Sequence, residues 1–171
     1  QTCALPICSM SATVKGELIA ADSVMCRVRA GSRDEVLKLA ADHLKQAGYV
    51  TDGFFQALLE RENMFPTGIC FGDTCVAIPH AEPGFVKKPV MLIMTLERPV
   101  RFVNMEDCEA EIPVEIVFVL AFTDSEKHLN VLQRLSALIR DSGTAAALRE
   151  AGNEGKLREV LRNSERAAFW R

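Results

Sequence analysis

The sequence predicts an α/β fold, a three-layer α/β/α arrangement in which helices flank a central mixed β-sheet. Three observations predict it. Helix-type apolar spacing fills the first and last thirds of the chain, and strand-length apolar runs fill the middle. Helices before and after a block of strands imply helices covering a sheet. The strands also follow one another too closely for regular βαβ alternation, which favours a mixed sheet over a doubly wound parallel one.

Leu18 to Arg29 reads as one short strand, or as two around Asp22-Ser23. Ser32-Arg33-Asp34-Glu35 is a capping box that opens the first clear helix. Val36, Leu37, Ala40, Leu44 and Ala47 recur on one face of it, and Gly48 stands where a left-handed stop is cheap. A second helix is expected from Asp52 to Glu62, with Phe55, Leu58 and Leu59 inward and charges at its end. Phe65-Pro66-Thr67-Gly68 reads as a loop from its proline and glycine. Cys75 to Ile78 is a short strand stopped by Pro79. Val90 to Leu96 is a continuous apolar strand, and Val100 to Val103 is read as a further one. Val114 to Phe122 is apolar throughout, as expected of a strand buried on both faces. Three helices close the chain. The first starts at Asp124 or Ser125 with Leu129, Leu132, Leu135, Leu138 and Ile139 as its stripe. The second starts at Asp141 or Ser142, and the third at Asn153 with Leu157, Val160 and Leu161 inward.

A chain of 171 residues suits one domain with a sizeable core. Residues 10–171 read as that domain, with Met10 at its start and residues 1–9 as an extraneous extension. Apolar residues make up 49% and charged residues 25%, and the net charge is −3, the profile of a soluble globule. With no basic stripe and no interleaved aromatics, nucleic acid is not an expected partner. No apolar run reaches the ~20 residues of a membrane span, and the start lacks the pattern of a signal peptide. The expectation is a cytoplasmic protein that does not insert into a membrane.

Six cysteines raise the question of metal. A zinc site can be drawn from Cys3, Cys8, Cys70 and Cys75 with His80 following, but the spacing is wider than a usual paired-ligand hairpin. The reading preferred here makes Cys26, Cys75 and Cys108 small buried apolar residues in a reducing compartment. No metal and no cofactor is called for.

The candidate chemistry centres on His80. Pro79 cannot donate to a ladder and ends its strand, so His80 stands at a strand end, followed by the turn formers Ala81-Glu82-Pro83-Gly84. Strand ends and the loops after them are where rigid scaffolds present functional groups. Imidazole is largely neutral at pH 7 and suits covalent work. Residue chemistry alone leaves a structural histidine and a nucleophile both open. His128, near the start of the helix after the longest buried strand, shares a face with Leu132 and Leu135. It is either a satisfied boundary residue or faces a cleft. His43 reads as a surface residue. Arg61 sits at a helix C-terminus, where a cation is favoured, and can equally turn toward an anion. Asp73, Glu82 and Asp107 show no diagnostic pairing. There is no Gly-rich phosphate loop, so ATP is not the expected donor of any phosphoryl group handled here.

The ordered set Leu58-Leu59-Glu60-Arg61-Glu62, Phe65-Pro66-Thr67-Gly68-Ile69 and Val76-Ala77-Ile78-Pro79-His80 resembles the enzyme IIA domain of the bacterial phosphotransferase system, of the mannitol/fructose type. Pro99-Val100-Arg101-Phe102 and Pro113 to Ala121 are similar to the family's next blocks, and His128-Leu129 with Leu132 and Leu135 resembles its second-histidine helix. The likeness runs from about Leu18 to about Leu161. Phe65-Pro66-Thr67-Gly68 and Ile78-Pro79-His80-Ala81-Glu82 look most like the galactitol-type branch, whereas a histidine at 128 leans toward the mannitol, fructose or nitrogen-regulatory branches.

The resemblance implies a phosphotransferase component. The carrier HPr would donate a phosphoryl group to Nε2 of His80. The domain would then pass it to a cysteine of an enzyme IIB that serves a membrane enzyme IIC. It also implies Arg61 and His128 beside the acceptor, with Thr67 in the active-site loop. A regulatory role of the nitrogen type, in which phosphorylation of His80 controls partner binding, is the alternative.

Overall fold

A computed structural model describes residues 23–163, with the side chains of residues 125–130 left out of the description. The remaining residues, including Cys3, Cys8, Met10 and the Leu18–Asp22 part of the first expected strand, lie outside it. Among the described residues, five strands form one mixed sheet: β1 Val24–Val28, β2 Gly68–Phe71, β3 Thr74–Ala77, β4 Val90–Val103 and β5 Glu111–Ala121. The order is β1-β4-β5-β3-β2. β1 with β4 and β3 with β5 are parallel, and β4 with β5 and β2 with β3 are antiparallel. Five helices flank it: α1 Arg33–Gln46, α2 Phe54–Met64, α3 Ser125–Arg140, α4 Ser142–Glu150 and α5 Glu154–Asn163.

The layering follows from alternation along the strands. Val117, Val119 and Ala121 of β5 join Val36, Ala40 and Leu44 of α1 and Phe54 and Leu58 of α2 in one core. Ile116, Phe118 and Leu120 point the other way and pack with Val131, Leu135, Leu138 and Ile139 of α3, Leu148 of α4 and Leu157 and Leu161 of α5. A strand whose residues are apolar on both faces belongs between two layers. The three-layer expectation is thus met.

The helix ends follow the local chemistry. Ser32 Oγ accepts from the Glu35 N–H at 3.2 Å, while the Glu35 carboxylate reaches back to the Gly31 N–H at 2.7 Å. Gly48 has φ +83°, and its N–H and that of Tyr49 bond the carbonyls of Lys45 and Leu44. This is a Schellman stop. Asn153 caps α5 by accepting from the Lys156 N–H.

Four features differ from expectation. Residues after Thr67 form β2, because Gly72, at φ +61°, opens a two-residue turn that folds Gly68–Phe71 back onto β3. The strands expected at 90–96 and 100–103 are one, β4, with a register shift between Thr95 and Val100. Phe54, fully buried, lies deeper than Phe55. His43 is half-buried rather than on the surface.

The cysteine reading needs the largest correction. Cys70 and Cys75 are directly opposed across the β2–β3 hairpin, with Cα atoms 4.0 Å apart, and form a disulfide. That distance lets two Cys side chains on one face meet, so Cys75 is not a lone apolar thiol. Cys108 is exposed in the β4–β5 connection, and Cys26 is half-buried.

Candidate functional site

β3 is buried along its length and delivers the chain to the end of the sheet. Pairing with β5 continues past Pro79: the Leu120 N–H donates to the Pro79 carbonyl at 2.9 Å, and His80 bridges Leu120. The histidine is therefore fixed to the sheet by backbone on the β5 side. Beyond it, a 3₁₀ turn over Pro83–Phe85 is tied to the α1–α2 connection. There the Thr51 N–H donates to the Phe85 carbonyl and the Lys87 N–H to the Tyr49 carbonyl.

The His80 ring is half-buried, and Nδ1 lies 3.0 Å from the carbonyl oxygen of Ile78. A carbonyl only accepts, so Nδ1 carries the proton in the neutral ring and the lone pair is on Nε2. Burial pulls the pKa of His80 below the ordinary 6.5. The Ile78 bond opposes that shift, the positive charge of Arg61 adds to it, and Glu82 opposes it. The ring is thereby favoured as a neutral base at pH 7.

Arg61 comes from the last turn of α2. One guanidinium nitrogen lies 3.5 Å from the Glu82 carboxylate, and the guanidinium carbon lies 4.6 Å from the Phe65 ring centroid. The pair is largely exposed to water, so it orients the arginine more than it stabilises the fold. Among the described residues the buried Nε of Arg61 has no hydrogen-bond acceptor.

Thr67 is buried at the start of β2. Its hydroxyl donates to Glu62 at 2.9 Å and accepts from the Ile78 N–H at 3.1 Å. His80, Arg61 and Thr67 are therefore neighbours around one strand end. His128 falls in α3, and its side chain lies outside the described residues. The topology starts α3 just after β5, whose Leu120 pairs with His80.

The strand end thus combines an imidazole with its proton on Nδ1, the charge of Arg61 acting on it and a backbone bond to β5 beneath. The match to the family model for EIIA type 2 of the phosphoenolpyruvate-dependent sugar phosphotransferase system runs over residues 17–164. The chain belongs to this family. As an EIIA type-2 protein it is a phosphotransferase component. It is 30% identical over 148 residues to a nitrogen regulatory protein of Bradyrhizobium diazoefficiens, covering 85% of this chain and 92% of that one. It is 31% identical over 103 residues to the galactitol-specific EIIA component of Escherichia coli, covering 60% and 68%. The crystal structure of the mannitol IIA of Escherichia coli superposes with TM-score 0.69 at 24% identity, covering 84% and 98%. The same protein in complex with phosphorylated enzyme IIB superposes with TM-score 0.68 at 23% identity, covering 84% and 96%. No described helix of the EIIA chain is long and apolar enough to cross a membrane.

Two residues near the site have contacts that were not expected from the sequence. Glu82 is the ion-pair partner of Arg61 and acts on the charge of His80. Glu62, expected as one of the charges ending a helix, is fully buried. A signal for it was available: Phe54, Leu58 and Glu62 are four apart, so Glu62 continues the buried face of α2.

Proposed function

We propose that this EIIA protein carries a phosphoryl group on Nε2 of His80, taking it from phospho-HPr and giving it to a cysteine of an enzyme IIB that serves a membrane enzyme IIC. The observation that carries the reading is the Nδ1–H bond from His80 to Ile78, which directs the lone pair to Nε2. In the first step that lone pair forms an N–P bond as the donor histidine's N–P bond breaks, and the donor nitrogen keeps the electron pair. In the second, the IIB thiolate forms an S–P bond and Nε2 recovers its lone pair. Nδ1 keeps its proton throughout.

The protein contributes position and charge stabilisation to such a transfer. Arg61 offers forked donors to the phosphoryl oxygens, and its buried Nε adds a donor that such an oxygen would satisfy. The family resemblance assigns His128 as a further donor. The relay runs in the cytoplasm on residues 10–171 as one domain.

The long match to a nitrogen regulatory protein favours a second reading. In it the same phosphorylation of His80 sets which partner the protein binds, with no sugar moved. The test of the main reading is incubation with phosphoenolpyruvate, enzyme I and HPr, followed by intact mass. One acid-labile phosphoryl group should add to the wild type and none to His80→Ala. Absence of the addition in wild type would sink the carrier reading. Discharge by an enzyme IIB separates transport from regulation.

A further inference from the structure

Glu62 stands one residue beyond Arg61, yet it faces the interior. It is 1% exposed, and its two oxygens accept from one residue: Oε1 from the Thr67 N–H at 3.0 Å and Oε2 from the Thr67 hydroxyl at 2.9 Å. Because the hydroxyl donates its proton to the carboxylate, its lone pairs are turned to donors, and the Ile78 N–H fills one at 3.1 Å. The carbonyl of that same Ile78 accepts from Nδ1 of His80 at 3.0 Å. Three hydrogen bonds in sequence, through Thr67 and Ile78, thus link a buried carboxylate to the ring.

We propose that Glu62 and Thr67 are positioning residues for phosphoryl transfer, holding Ile78 so that its carbonyl keeps the proton on Nδ1 of His80 and the attacking lone pair on Nε2. The inference rests on reading His80 as the phosphoryl acceptor. The reason is geometric. Ile78 follows the last residue of β3 and precedes a proline, so the next residue's nitrogen cannot donate. β5 holds the chain on the far side of Ile78 through the Leu120–Pro79 bond. On the near side its N–H is held by Thr67. Without the hydroxyl, that N–H is left buried and unpaired, and the strand end turns to find an acceptor. The Ile78 carbonyl turns with it, and the ring loses the acceptor that selects its tautomer.

A role confined to tying α2 to β2 would change stability and nothing else. The discriminating experiment therefore reads the tautomer of His80 by ¹⁵N NMR and the single-turnover rate of labelling by phospho-HPr, beside the thermal midpoint. Thr67→Ser keeps the hydroxyl and should hold the rate within about twofold, whereas Thr67→Val should lose about tenfold, ~1.4 kcal/mol in the barrier. Thr67→Val should also show His80 protonated on both nitrogens in turn, in place of Nδ1 alone. Glu62→Gln keeps the shape but presents an NH₂ to a donor, so it should move rate and tautomer in the same direction as Thr67→Val.

A folded Thr67→Val with wild-type rate and tautomer overturns the proposal. If that variant does not fold, the same pair of results in Glu62→Gln overturns it. Label on a residue other than His80 would instead defeat the carrier reading, and the tautomer measured in unlabelled protein would still decide whether Thr67 and Glu62 set the ring.

Discussion

His80 lies between opposing influences, and the balance sets its pH behaviour. Burial is the strongest and lowers its pKa below 6.5, with Arg61 adding to the shift and the Ile78 bond and Glu82 opposing it. Its labelling rate should therefore rise with pH through a midpoint below 6.5 and level off above it, as followed by rapid quench across pH 5 to 8. A midpoint above 6.5 would contradict the burial argument. The same shift links to stability. The unfolded ring binds its proton at a higher pH than the folded one, so this contribution is lost as pH falls from 6.5 through the folded pKa. Arg61→Ala should raise the midpoint, because it removes a cation, and should slow transfer about fivefold, the worth of a ~1 kcal/mol charge pair at 4 Å in water. Circular dichroism should show its fold intact. The residue scale was partly legible in the sequence. His80, Arg61 and Thr67 stand in short ordered motifs that the chain itself displays. Glu62 was read by type, as a charge at a helix end, when its spacing from Phe54 and Leu58 placed it inside. The acceptor for Nδ1 is a main-chain carbonyl, and no side-chain pattern announces that.

Among the elements, the β2–β3 hairpin governs the site, because its open end carries Thr67 and leads to Ile78. Its position against β4 is set by Gly68. A Cβ there would stand 2.6 Å from the Val103 carbonyl oxygen and 3.0 Å from Ile112 Cδ1, which is closer than non-bonded atoms approach. Gly68→Ala should thus push β2 off the β4–β5 connection and destabilise the protein by about 1–3 kcal/mol, the range for overpacked sites. Gly84→Ala, with nothing within 4 Å, is the matched control and should change the urea midpoint little. Equal midpoints for the two variants would refute the close-approach argument. Because Thr67 precedes Gly68, the first variant should also slow His80 labelling. The hairpin shows why elements are less legible than periodicity suggests. Phe65-Pro66-Thr67-Gly68 carries turn formers, and the four residues that pair with β3 begin inside that stretch. The strand is too short to show alternation, and its existence depends on the Gly72 turn that returns it. The disulfide has the same origin. Cys70 and Cys75 meet only because this register opposes them, and spacing alone reads equally as two lone thiols. The helices, whose caps and stripes are local, were the better-read elements.

Across the whole molecule, the two apolar cores share β4 and β5, and this couples the layer that holds Arg61 to the layer of α3, α4 and α5 on the other face. Val90, Leu92 and Met94 face α1 and α2, whereas Met91 and Ile93 face α3 to α5. The three layers were legible because runs apolar on both faces require cover on both sides. The order β1-β4-β5-β3-β2 was not, since pairing between strands far apart in sequence leaves no local mark. A shared sheet makes independent unfolding of one layer costly, because stripping either set of helices exposes fully buried strands. Phe118, with no exposed surface and packed on the α3 side, tests this. Phe118→Ala should cost about 3–5 kcal/mol through lost burial and the cavity it leaves. If the sheet couples the layers, amide exchange in α1 and α2, on the opposite face, should quicken by the same free energy as in α4 and α5 when exchange proceeds through global opening. Acceleration confined to α3, α4 and α5 would mean that the layers open separately. The His80 site would then be joined by a hinge rather than by one rigid sheet, and Arg61 could keep its place while the β5 end moved. Equal acceleration on both faces makes the strand end that carries His80 and the helix that carries Arg61 parts of one cooperative unit.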